Sequence, residues 1–71
     1  MEHKTRYRAR VMIHAMEKLG EPRETLSAAI ADCQHEISHN GAKFAAVDRD
    51  QGGKDHPDNA GKFFLYQFVK A

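Results

Sequence analysis

From Leu26 to His39 the apolar positions of this chain recur on a helical spacing. At about 100° per residue, Leu26, Ala29, Ile30, Cys33 and Ile37 fall on one stripe. Thr25 is a good N-cap, and Asn40-Gly41 a good stop, with Gly41 able to turn left-handed. The spacing therefore predicts a helix that lays one face on something flat. Two strands follow. Lys43 to Asp48 is short and half apolar, and Lys62 to Lys70 is a β-rich run holding Phe63, Phe64, Leu65, Tyr66, Phe68 and Val69. Arg49 to Gly61, dense in Gly, Asp, Asn and Pro57, is expected to be a long mobile hairpin loop.

Residues 5–19 fit two patterns. As a strand, Thr5, Tyr7, Ala9, Val11, Ile13 and Ala15 alternate with Arg6, Arg8, Arg10, Met12, His14 and Met16. As a helix, Tyr7, Val11, Met12, Ala15, Met16 and Leu19 form a broad stripe ending at Gly20. Three arginines on successive even positions suit a solvated sheet face, and a lone two-stranded hairpin is marginal. The expectation is thus an α+β domain, β-α-β-β, with a three-stranded antiparallel sheet and one helix on one face. The alternative is α-α-β-β, a winged-helix-like arrangement. In the first, the last strand sits centrally, with Phe63, Leu65 and Val69 on one face and Phe64, Tyr66 and Phe68 on the other. One helix covers one face only, and an apolar face left open marks an interface.

At 71 residues the chain is a single domain (residues 1–71), and such a chain buries only roughly 60% of its unfolded surface. Small domains of this kind depend on a metal, disulfides or a partner chain. Cys33 is the only cysteine, so an internal disulfide is excluded; a lone thiol suits the cytoplasm and reads as a small core residue. No run approaches the ~20 apolar residues of a membrane span, and Glu2 to Arg10 is too charged for a secretory signal. A cytoplasmic protein with no membrane contact is expected. The net charge of +1 hides an asymmetry: Lys4, Arg6, Arg8 and Arg10 crowd one end, and Asp48, Asp50, Asp55 and Asp58 precede the last strand.

His35-Glu36-Ile37-Ser38-His39 matches the His-Glu-x-x-His pattern of zinc proteases, in which two imidazoles one turn apart bind the metal and the Glu is general base. On the helical wheel both histidines lie opposite the apolar stripe, about 180° and 220° from Leu26. They are therefore expected to face water. A catalytic zinc also needs a third ligand and a walled cleft; Asp55, His56 and Asp58 are the donors the loop offers, and nothing fixes them there. A zinc-dependent hydrolase is a remote alternative, and no metal or cofactor is expected. Asp48-Arg49-Asp50-Gln51-Gly52-Gly53 opens like a calcium loop, yet Asn59 stands where the bidentate Glu belongs. The loop glycines lack the strand-to-helix context of a phosphate cradle. Cys33 and His35, two apart on a helix, point in different directions.

The candidate binding residues are Arg6, Arg8 and Arg10 with Phe64, Tyr66 and Phe68. Two readings are open. The aromatics are anchors of a protein interface with the arginines as rim, possible also between two copies through the open sheet face. Alternatively, arginines and rings together bind nucleic acid, as on sheet-based RNA binders. The chain resembles small phage and prophage accessory proteins, including anti-CRISPR proteins and phage inhibitors of host enzymes. The shared features are its size, the Arg-bearing first strand, a helix opening with Glu24-Thr25-Leu26-Ser27-Ala28-Ala29, and a closing hairpin. This covers most of the chain as architecture and includes no specific motif, so no site residues carry over. The resemblance implies a non-enzymatic inhibitor that masks a surface of a host complex or mimics its charge. A net charge of +1 does not suit DNA mimicry.

Overall fold

The computed structural model describes residues 4–50 and 61–70. Its elements are β1 (Tyr7–Ile13), β2 (Met16–Leu19), α1 (Leu26–Asn40), β3 (Phe44–Asp50) and β4 (Phe63–Phe68). The four strands form one antiparallel sheet in the order β2-β1-β3-β4, with the helix on one face. The α+β class is as the pattern predicts; the strand count and order are not. Residues 5–19 are a hairpin rather than a single strand or a helix, which removes the winged-helix alternative. Residues 51–60, with the expected loop donors Asp55, His56 and Asp58, lie outside the described residues, while Arg49 and Asp50 belong to β3.

The second strand arises from a two-residue turn. His14 and Ala15 both take positive φ, 50° and 64°, and bring Ile13 opposite Met16. Hairpin turns of this hand follow the twist of the strands but ask for Asn or Gly at the central positions. His-Ala carries no such signal, so the alternation beginning at Tyr7 reads straight through it. Past β2, the amide of Gly20 donates to the Ala9 carbonyl at 2.8 Å, and Tyr7 and Arg23 exchange backbone bonds at 2.7 and 2.6 Å. One flank of β1 is thereby satisfied along most of its length.

The helix ends where its caps dictate. Thr25 is extended and its hydroxyl accepts from the Ala28 amide at 3.2 Å, while Gly41 turns left-handed at φ 70°. The apolar stripe faces the sheet: Ala29 and Cys33 are fully buried, with Leu26, Ile30 and Ile37 at the margins. Beneath them lie Ala9 and Val11 of β1 and Ala45 and Val47 of β3. This floor is made of small side chains, and it explains the strand order. A helix settles closely on alanine and valine, whereas the rings of β4 would hold it off. The aromatic strand therefore takes an edge rather than the central place expected for it. Cys33, whose thiol points at the Ala46 carbonyl at 3.3 Å, is pushed up in pKa by burial and is a core residue.

Replacing His14-Ala15 with Asn-Gly removes two left-handed non-glycine residues, and urea unfolding is expected to show a gain of about 1–2 kcal/mol. An unchanged midpoint would mean that the turn carries no strain. Cys33 is expected to resist Ellman's reagent in the folded protein and to react at the free-thiol rate in denaturant.

Candidate functional site

Among the described residues β4 is paired on one side only. Its register with β3 places Phe63 opposite Asp50, Phe64 opposite Arg49, Leu65 opposite Asp48, and Phe68 opposite Ala46, with a bulge between Val47 and Asp48. Tyr66 is the extra residue. The bulge reassigns the faces of the strand. Phe63, Leu65 and Phe68 join Arg8 and Arg10 on the face away from the helix. Phe64 and Tyr66 fall on the helix side, so the expected trio of Phe64, Tyr66 and Phe68 is split.

A helix about 10–12 Å across covers roughly two strands spaced about 4.8 Å apart. Here those are β1 and β3, and β4 lies beyond the helix. On the helix side Phe64 and Tyr66 consequently stay in contact with solvent, 44% and 43% exposed, while Leu65 and Phe68, on the face that no helix covers, are 48% and 63% exposed. Tyr66 is held from one side by an edge-to-face contact with Tyr7 at 5.7 Å and by the Arg49 guanidinium, 4.6 Å from its ring centre.

The face away from the helix is covered by one layer of side chains. Under it lie two carboxylates, Asp48 at 4% exposure and Asp50 at 1%. Arg10 grips Asp48 in a two-pronged bond, Nε to Oδ2 at 3.0 Å and Nη2 to Oδ1 at 3.2 Å, with Glu17 at 4.0 Å from Nη1. The Asp50 carboxylate accepts from the Gly61 amide at 3.2 Å to each oxygen. Arg8 lies over the Phe63 ring at 4.2 Å, and its buried Nε has no hydrogen-bond partner among the described residues. Phe44 and Phe68 meet edge to face at 5.7 Å. Arg6 is half-buried, and its carbonyl accepts from the Asp50 amide at 2.9 Å. Of the expected basic row, then, Arg10 is spent on an internal carboxylate and Arg8 on a ring. Phe63, Leu65, Phe44 and Asp48 are the members of this surface that the simple alternation did not assign to it.

The outer face of α1 carries the His-Glu-x-x-His residues. His35 and His39 are exposed and stack at 4.2 Å, and the His39 Nδ1 lies 3.1 Å from the His35 carbonyl. Glu36 is turned elsewhere, accepting from Lys18 Nζ at 2.7 Å and Asn40 Nδ2 at 2.6 Å. The bond from Lys18, then that from Asn40, lowers its carboxyl below the usual range. A general base in hydrolysis needs the opposite shift, toward neutrality. Beside it a cleft of about 180 Å³ opens between α1 and the β1–β2 hairpin, rimmed by the Lys18–Glu36 and Arg23–Asp32 ion pairs. Those charges satisfy each other. Among the described residues no group of three His, Cys, Asp or Glu side chains is placed to hold a metal, and no helix is long and apolar enough to cross a membrane. No protein family, curated protein or solved structure matches the chain.

The folded Glu36 binds its proton more weakly than the unfolded chain does. Its contribution is therefore complete above the unfolded carboxyl pKa and is lost as pH falls through the lower folded value. Lys18 is half exposed, so screening keeps the pair to about 0.5–1 kcal/mol. Glu36→Gln is expected to lower the thermal midpoint by a few degrees at neutral pH, with the gap to wild type closing in strong acid. A gap independent of pH would show that the ion pair contributes nothing.

Proposed function

We propose that this chain is a small non-enzymatic protein-binding module whose docking surface is β4 and the rim around it. The observation that carries this reading is an edge strand of six residues, Phe63–Phe68, with no charge in it and four large side chains between 43% and 63% exposed. Aromatic anchors ringed by Arg8, Arg10 and Arg49 are the composition that protein interfaces favour. The resemblance to phage-type inhibitors gives the reading a concrete form, in which the module masks a surface of a host complex. Nucleic-acid binding receives less support. The Arg10 fork is already occupied by Asp48, and the bulge puts Phe64 and Tyr66 on the opposite face from Arg8 and Arg10.

Bis-ANS fluorescence and retention on heparin test the two readings side by side. Wild type is expected to bind the dye in its folded range, and Leu65→Ser with Phe68→Ser to lose most of that signal while melting within a few degrees of wild type. If the double variant unfolds instead, those side chains are core and the module reading fails. Heparin retention at low salt is expected to be weak and little changed by Arg6→Ala, Arg8→Ala and Arg10→Ala together. Strong retention abolished by that triple variant would transfer the function to nucleic acid.

A further inference from the structure

We infer that the first occupant of β4 is a second copy of this chain, paired antiparallel along β4 about a twofold axis. The two four-stranded sheets would then continue as one. The inference rests on the reading of β4 as a protein-docking strand and goes further by naming the partner.

The two edges of the sheet differ in the way that decides self-association. Edge strands offer a row of unpaired N–H and C=O groups, and proteins that stay monomeric guard them with charge, proline, shortness or a covering segment. β2 is the weaker template: it is four residues long and carries charge, Glu17 and Lys18, between its exposed Met16 and Leu19. β4 has no charged residue and no proline, and among the described residues no strand pairs with its outer side. Its one irregularity, the bulge at Tyr66, bends the strand without adding a charge.

A neutral strand can face itself without like-charge repulsion, which makes β4 self-complementary. Since β2 is short and charged, pairing through β4 about a twofold axis uses the uncharged edge of each copy and closes at two rather than growing into a filament. The area places such a pairing at the weak end of specific association. Large side chains bring about 150–250 Å² each, so the exposed halves of Phe64, Leu65, Tyr66 and Phe68 supply roughly 300–400 Å² per copy. That approaches half of the ~800 Å² per partner found in stable complexes, before the newly paired backbone is added. The need is also present. The fully buried apolar side chains are Ala, Val and Cys, and a chain of 71 residues with so light a core gains from covering its rings.

Sedimentation equilibrium between roughly 5 and 200 μM, spanning the affinities such an area supports, together with hydrogen exchange at both ends of the range, tests the inference. The expected result is a mass that rises from 8.0 kDa toward twice that value, with β4 amides exchanging more slowly in the concentrated sample. Leu65→Lys, and independently Phe68→Lys, are expected to hold the mass at 8.0 kDa with an unchanged circular dichroism spectrum, while Met16→Lys on the opposite edge behaves as wild type. A wild-type mass fixed at 8.0 kDa across the range overturns self-pairing alone, and leaves the docking reading to its dye and melting tests. A dimer that survives both β4 lysines and is lost in Met16→Lys overturns self-pairing and the β4 docking surface together.

Discussion

The width of a single helix governs this molecule. About 10–12 Å of helix covers two strands, and the sheet has four. The strands beneath α1 are those that can bring small side chains to it, Ala9 and Val11 on β1 and Ala45 and Val47 on β3. Everything bulky is displaced outward. The usual relation between size and burial is thereby inverted, with alanine at the centre and phenylalanine at the rim. That inversion produces both the modest core and the exposed surface.

The uncovered face of the sheet solves a different problem. Asp48 and Asp50 project from β3 on the side with no helix, yet both are buried. Burying a carboxylate is tolerable only where charge or hydrogen bonds answer it. Arg10 answers Asp48 with both prongs of its guanidinium, and the Gly61 amide donates to Asp50. The arginine row thus has a structural task before any functional one, which is why its charge is a poor guide to partners. The same economy appears on the helix, where Glu36 ties β2 to α1 through Lys18 rather than standing free between the two histidines.

Those commitments leave β4 as the strand that carries the most exposed aromatic side chains of the sheet, although Phe63, Tyr66 and Phe68 each touch a neighbour on one side. Among the described residues it has paired backbone on one side, apolar side chains on both faces and no charge of its own. A strand in that state offers backbone and side-chain surface that another chain could complete, which is the ground of the proposal made for it.

Much of this was legible in the sequence, because it depends on local rules. The helix boundaries follow from Thr25 and Gly41, the buried stripe from the spacing of Leu26, Ala29, Ile30, Cys33 and Ile37, and the exposure of His35 and His39 from the same wheel. The alternation of Tyr7, Ala9, Val11 and Ile13 with the arginines held as far as Ile13. Three things were settled only by tertiary structure. The turn at His14-Ala15 is stabilised by the pairing of the strands it joins and has no residue signature of its own. The order of the strands depends on which side chains let the helix approach, a comparison between elements far apart in the chain. The bulge at Tyr66 exists only in the register of β4 against β3, and it alone decides which aromatics share a face with the arginines. Caps and periodicity act within a few residues, so one chain suffices to read them; coverage, strand order and register are properties of surfaces in contact, and they exist only once the chain has folded.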